Sequence, residues 1–381
     1  MDVETAVRDR YADGAQARQA KLYCPTDYEP EYLKVIPREV IERDYGCGNP
    51  ARYLNQGETV LDLGSGTGKI CFIAAQVVGA EGRVIGVDMT PEMLEVANRN
   101  APIVADRLGY DNVEFRRGRI QDLALDLDRV DAEVNDLRVH SYEDLLLAEK
   151  RANELRMTSP LVDSASVDVV VSNCVLNLVD VESREQLFGE IHRVLRRGGR
   201  AVISDIVSDE EIPVEMQQDP ELWSGCISGA FTETGFLEAF EETGFYGIHV
   251  VERQAEPWQT VDGFEFRSVT IEAFKGKEGA CFERNQAVIY RGPFKEVVDD
   301  DGHRMTRGER YAVCDKTYQI YGAAPYEGHF ERIAPREEIP LEDAGLFDCG
   351  RARLRHPRET KGQHYDATTD AAPCCEPGGS G

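Results

Sequence analysis

No two cysteines in this 381-residue chain are spaced as C-x-x-C, although ten are present. That absence excludes zinc ribbons and thioredoxin-like redox motifs. No apolar run approaches the roughly 20 residues of a membrane-spanning helix, and Met1-Asp2-Val3-Glu4 has no basic or apolar signal region. Ten cysteines without a secretion signal imply free thiols in a reducing cytoplasm, not a disulfide scaffold. Positive charge is scarce: 43 Lys and Arg stand against 70 Asp and Glu, a formal net charge of -27. Such a surface repels phosphate backbones and anionic lipid, so neither nucleic acid nor membrane is expected as a partner. The length suits one substantial α/β core and a smaller domain.

What is present begins with Val60-Leu61-Asp62-Leu63-Gly64-Ser65-Gly66-Thr67-Gly68, a β-branched apolar run entering three spaced glycines. A second apolar run, Val84-Ile85-Gly86-Val87-Asp88-Met89, ends in an acid. Strand, glycine turn, helix and a second strand closing on a carboxylate predict a nucleotide-binding βαβ unit. The glycines read G-x-G-x-G, with Asp62 upstream, and not G-x-G-x-x-G. That pattern resembles class I methyltransferases, which hold S-adenosylmethionine, a ligand with no phosphate. Glu190–Arg200 then reads as a helix with a Gly-Gly stop, followed by a buried strand at Ala201–Asp205. The fold expected is α/β, a doubly wound and mostly parallel sheet.

Residues 1–45 read as an N-terminal helical segment and 46–275 as the S-adenosylmethionine-binding domain. Within the latter, a charged insertion over about 120–166 carries Leu145, Leu146, Ala148, Ala152 and Leu155 at near-helical spacing. It predicts one amphipathic helix for packing or dimer contact. Val167–Asn173, nearly all apolar, reads as a strand covered on both faces, with Cys174 directly after it. Ligands of doubly wound sheets bind beyond the strands' carboxyl ends at the switch point, which places Cys174 beside the transferable methyl group. A segment over about 207–235 carries Cys226. Residues 276–365 predict a small, mainly β domain and 366–381 a disordered tail.

Several segments together resemble the arsenite S-adenosylmethionine methyltransferases. They are Tyr45-Gly46-Cys47-Gly48, the glycine loop, Val87-Asp88-Met89, Val171-Ser172-Asn173-Cys174-Val175-Leu176-Asn177-Leu178, Leu222–Ala230 around Cys226, and Phe266–Lys275. The resemblance implies that Cys47, Cys174 and Cys226 bind trivalent arsenic and that Cys24 takes part in thiol exchange. It implies a substrate of arsenite or methylarsenite, delivered as a thiol conjugate, and a glutathione or thioredoxin-type reductant as co-substrate. Cofactor contacts are expected from Tyr45, Asp62, Gly64, Ser65, Gly66, Gly68, Asp88, Met89, Ile120 and Asn173. Asp88 suits the ribose hydroxyls, and the Tyr45 ring suits a sulfonium.

Three thiolates suit this chemistry. Arsenic(III) on three sulfurs keeps a lone pair that can attack a methyl group without a general base, and soft sulfur rejects hard oxyanions. Because thiolates are the ligating form, binding is expected to release protons and weaken in acid. A free cysteine taken singly is more often a small buried hydrophobe. Cys71 is read that way, Cys281, Cys314 and Cys349 as structural or incidental, and Cys374-Cys375 as part of the tail. His192 is expected to pack or face solvent, and Asp205 is a candidate for the cofactor cleft. Two other readings stay open. One is methylation of another soft acceptor, such as antimonite, a selenium or mercury species, or an organic thiol. The other is a non-catalytic metalloid-binding protein, which would not need Asp62, Gly64, Gly66, Gly68 and Asp88 intact.

Overall fold

Strand β1, Thr59–Leu63, turns Leu61 and Leu63 to one buried face and Val60 to the opposite one. Both apolar faces are covered, as a central parallel strand requires. A computed structural model of the chain describes residues 3–16, 26–43, 45–137, 140–350 and 353–361. Cys24, the Cys374-Cys375 pair and the expected tail at 366–381 lie outside the described residues. The chain divides into two compact units, Met1–Gly276 and Lys277–Gly381.

In the first unit β2 (Arg83–Asp88), β3 (Val113–Arg117), β4 (Val167–Asn173) and β5 (Leu195–Ser208) join β1 in parallel. β6 (Phe231–Thr232) pairs with the end of β5. β7 (Tyr246–Arg253), β8 (Gln259–Val261) and β9 (Phe264–Phe274) complete the sheet, and β9 runs antiparallel to β5, β7 and β8. The order β3-β2-β1-β4-β5-β9-β7 reverses direction between β1 and β4. This is the doubly wound, mostly parallel fold expected from the sequence. All seven residues of β4 are buried.

Two local expectations are corrected. The helix Arg184–Val194 does stop, but no separate Gly-Gly turn follows, because β5 already begins at Leu195. Gly198, at φ 83°, donates to the Lys275 carbonyl, and the Lys275 amide returns to Gly199, so the glycines pair with the end of β9. The Lys275 ammonium also meets the carbonyls of His192 and Leu195, satisfying the helix terminus. The insertion forms two helices, Leu127–Leu137 and Tyr142–Thr158, where one was expected. The second opens on a Ser141–Asp144 capping box, buries none of its residues, and leaves Leu145, Leu146 and Leu147 exposed. The helical spacing is realised, but among the described residues this helix buries no face.

The second unit centres on β11 (Ala287–Tyr290), flanked antiparallel by β14 (Arg310–Ala312) and β15 (Phe330–Ile333). Two further pairs are β10 (Phe282–Glu283) with β16 (Gly345–Leu346), and β12 (Glu296–Val298) with β13 (Arg304–Thr306). Val288, Tyr290, Met305, Val313 and Tyr321 form its own small core. Cys281, Cys314 and Cys349, read from the sequence as structural or incidental, converge here with their sulfurs within 4.8 Å of one another.

Candidate active site

At the carboxyl ends of β1, β2 and β4 lies a cavity enclosing about 930 Å³ of space, its mouth included. The glycine loop forms its floor. Gly64 and Ser65 donate to the Val87 carbonyl, anchoring the loop to β2. Gly64 sits at φ 67°, and a Cβ there would lie 2.4 Å from Val175, so only glycine permits this approach. Asp88 closes β2 and receives the amides of Gly66 and Thr90, each at 2.8 Å, one on each carboxylate oxygen. Burial pushes its carboxyl above the usual value despite those donors.

Tyr45, Gly64, Ser65, Gly66, Asp88, Met89, Ile120 and Asn173 all line this cavity. Asp62 and Gly68 do not. Asp62 is buried beneath the loop, where it accepts the Cys71 thiol at 3.1 Å, and Gly68 caps the helix Lys69–Val78 in the left-handed region. Cys71 is thus a buried partner of Asp62, its thiol held well above the ordinary value first by burial and then by that carboxylate. The cavity fits a nucleoside cofactor without phosphate. Ser65 Oγ is buried on its wall with no partner, and the Asp88 oxygens retain free lone pairs for hydroxyl donors.

Sequence reasoning missed the roof. The helix α1, Val3–Gln16, contributes Glu4, Val7 and Tyr11 to the cavity wall. Glu4 pairs with Arg119 on one side. On the other, the Arg10 guanidinium donates to the Glu221 carbonyl at 2.6 Å and to Ser224 at 2.7 Å. The Tyr45 hydroxyl donates to the Gly14 carbonyl, and its ring meets Tyr11 edge-on at 6.0 Å. The signal that could have found this face is the i, i+4 pair Val7/Tyr11 in a polar helix.

Three thiols stand at the inner end of the cavity. Cys47, Cys174 and Cys226 are each at most 5% exposed and belong to one apolar cluster with Val7, Leu178, Ile206 and Trp223. Only Cys174 is on the cavity wall itself. It is also the central thiol, in hydrogen-bonding contact with both Cys47 and Cys226, and those contacts, with burial, push it well above the ordinary thiol value. Burial likewise raises Cys47, and the nearby Asp205 charge adds to it. Cys174 and Cys226 occupy φ 65° and φ 61°, a region that L residues rarely adopt, and the Cys226 thiol donates to the Cys174 carbonyl at 3.3 Å. Such strain persists where the surroundings hold it, and it clusters at functional sites.

Those surroundings are specific. Asn173 Oδ1 receives the amides of Cys47 and Gly48, both at 2.9 Å, while its amide donates to the Gly48 carbonyl and to Tyr28. Asn173 therefore both lines the cavity and pins the Cys47 loop. The flanking glycines are steric requirements: a Cβ at Gly46 would lie 2.1 Å from Asn173, and one at Gly48 would lie 2.5 Å from Ser204. Cys174 is tied to β5 through its amide on the Ser204 carbonyl. Asp205, considered for the cofactor cleft, is not on the cavity wall. It lies buried under the thiols, receiving the Leu176, Asn177 and Ile206 amides and the Asn177 side chain, and burial raises it to about 6. The Tyr11 hydroxyl meets Cys226 from above. His192, as expected, packs, edge-on to Phe245 at 5.1 Å.

Residues 54–244 match the family described as "Methyltransferase domain", and 277–365 match a "Domain of unknown function (DUF8838)". Sheet order, glycine loop and cavity define an S-adenosylmethionine-dependent methyltransferase. The chain is 34% identical over 371 residues to an arsenite methyltransferase of Aquipseudomonas alcaligenes, covering 92% of this chain and 93% of that protein. It is 30% identical to a human protein of the same description, over 81% of this chain and 76% of that one. It also resembles the crystal structure of an arsenic(III) S-adenosylmethionine methyltransferase from Chlamydomonas reinhardtii. That likeness has a TM-score of 0.55 at 29% identity, over 85% of this chain and all of the other. The chain belongs to the arsenite methyltransferase family.

Proposed function

We propose that this enzyme methylates trivalent arsenic held by Cys47, Cys174 and Cys226, as a cytoplasmic step of arsenic detoxification. The observation that carries the reading is the convergence of three buried thiols behind the cofactor cavity, with Cys174 on its wall. S-adenosylmethionine, held by Ser65, Asp88 and the glycine loop, supplies an electrophilic methyl group. The protein's task is to hold a nucleophile. Three sulfurs leave arsenic its lone pair, so no base is needed, and none of the residues around the thiols has to remove a proton during transfer. Asn173 fixes Cys47, the Ser204 carbonyl fixes Cys174, and α1 roofs the site against water.

The raised thiols alter the pH expectation. Cys47 and Cys174 are protonated in the free protein at neutral pH. Arsenous acid is neutral too, so each thiol proton leaves with an arsenic hydroxyl as water. At these two thiols equilibrium binding then sheds no proton to solvent, and acid slows only the rate, which depends on thiolate.

Tyr11 is proposed as a positioning residue for Cys226. Tyr11→Phe removes one hydroxyl contact, worth about 0.5–1.5 kcal/mol, so the arsenite KM should rise roughly 2- to 12-fold. The thermal midpoint should fall by no more than roughly 1–6 °C, at about 2–4 °C per kcal/mol. An unaltered KM would remove Tyr11 from the substrate site.

The overall reading is tested by incubating the protein with S-adenosylmethionine, a thiol reductant (glutathione or a thioredoxin system) and a panel of soft acceptors. Arsenite should turn over fastest, with methylated products identified by mass spectrometry; faster methylation of antimonite, selenite or an organic thiol overturns the assignment. The same assay tests Cys24. Attack by the lone pair formally oxidises arsenic from +3 to +5, and two thiols forming a disulfide return the electrons. Methylarsenite has one carbon and needs only two thiolates. Cys24→Ser should therefore lose activity on arsenite yet retain it on methylarsenite. Loss of both activities, or of neither, removes Cys24 from the mechanism.

A further inference from the structure

The second unit carries thiol chemistry of its own. Pairing of β10 with β16 sets Phe282 opposite Leu346, and the Phe347 amide donates to the Cys281 carbonyl at 2.8 Å. This brings the chain on either side of that pair, at Cys281 and Cys349, to one place. Cys314 arrives from a third direction as the N-cap of the helix Asp315–Ile320, its sulfur near the Thr317 amide and hydroxyl. None of the three is in a disulfide. Cys314 is buried, and Cys281 and Cys349 are half-buried.

A cavity of about 340 Å³ opens beside them, lined by Cys314 and Cys349 and walled by Met305, Tyr321 and Phe347. The sulfurs lie within 4.8 Å of one another. Three thiolates at about 2.3 Å from one pyramidal centre lie about 3.5 Å apart, so binding must draw the sulfurs together by up to about 1.3 Å. Soft sulfur donors in an apolar setting select a thiophilic centre over hard cations.

The count of donors narrows the choice. Structural zinc is almost always four-coordinate. Among the described residues no fourth cysteine, histidine or carboxylate joins this group. The nearest candidate, His303, lines the same cavity, but both its nitrogens are engaged. Nδ1 meets Asp299 at 2.9 Å, and Nε2 meets the Cys349 carbonyl at 3.1 Å. Three donors with a hydrophobic space beside them match a trivalent centre that keeps a lone pair.

We propose that Cys281, Cys314 and Cys349 form a second three-thiol site, in the C-terminal unit, that binds a trivalent thiophilic metalloid. For arsenous acid three As–S bonds form and three As–O bonds break. Each thiol proton leaves with a hydroxyl as water, and arsenic stays at +3. Burial and the two neighbouring sulfurs push the Cys349 thiol well up. The proposal is independent of methyl transfer, since it concerns a separate unit and needs no cofactor.

The test uses the full chain, reduced with a phosphine and equilibrated with arsenite. After gel filtration, arsenic per chain is measured by mass spectrometry and its coordination by X-ray absorption. A variant with serine at 24, 47, 174, 226, 374 and 375 keeps the trio. It should retain about one arsenic per chain with three sulfur neighbours, and adding Cys349→Ser should abolish retention. A second comparison guards against misfolding of that variant: in the otherwise unaltered chain, Cys281→Ser with Cys349→Ser should lower retained arsenic by about one per chain while arsenite methylation continues. Equal retention with and without that pair overturns the proposal. So does four-coordinate zinc in the protein as purified, or a disulfide within the trio under anaerobic purification.

Discussion

Cys174→Ser is expected to lower arsenite methylation by more than about 100-fold, beyond the roughly 10- to 100-fold that losing an outer-shell partner of a bound metal costs. Cys174 is the thiol in contact with both others, and the one on the cavity wall. Serine is nearly isosteric and places no extra atom against Cys47, Cys226 or the Ser204 carbonyl, so the fold should persist. S-adenosylmethionine affinity should hold within roughly threefold, about 0.7 kcal/mol, because Asp88 and Ser65 are untouched. X-ray absorption of bound arsenite should show two sulfurs from this site where the parent shows three. Methylation within tenfold of the parent rate would end the three-thiol mechanism.

Gly46→Ala should damage the same site without touching a sulfur. Its Cβ would lie 2.1 Å from the Asn173 amide nitrogen and 2.5 Å from Cγ. Asn173 has no room to yield, since its side chain is held by Cys47, Gly48 and Tyr28. Either the loop or Asn173 must move, at a cost of about 1–3 kcal/mol. The thermal midpoint should fall by roughly 2–12 °C, taking about 2–4 °C per kcal/mol for a unit of this size. Cys47 should leave its register with Cys174, lowering arsenite affinity at this site and methylation by roughly tenfold or more, about 1.4 kcal/mol. An unshifted midpoint with full activity would show that the Cys47 loop accommodates the methyl group, and that Asn173 does not position it.

Much of the cofactor half of the site was legible because it is local. The glycine loop and Asp88 belong to one βαβ unit, whose turn, close approach and terminal acid occupy neighbouring positions in the chain. Asp62 and Gly68 carry the motif and face inward, one to Cys71 and the other to the helix start. Cys174 was legible from its place directly after a buried central strand, but Cys47 and Cys226 only by resemblance to a family, since the three share no spacing rule. α1 was missed as a roof because a polar helix with one Val/Tyr pair does not announce what it covers. Cys281, Cys314 and Cys349 were passed over because 33 to 35 residues separate each from the next.

By itself the sequence determined the alternating or continuous apolar runs that become a buried parallel sheet, and the glycine–acid pattern that shapes a phosphate-free nucleoside site. It also determined a strongly acidic surface. Only the tertiary structure decided which thiols meet, because that depends on strand order. β4 lies between β1 and β5, so Cys174 emerges at the switch point, Asn173 reaches the Cys47 loop from 125 and 126 residues away, and Asp205 comes up beneath both thiols. Cys226 joins them through its contact with the Cys174 carbonyl, 52 residues distant. Contacts of such separation leave no periodicity in the chain, and their energy exists only once the sheet has formed.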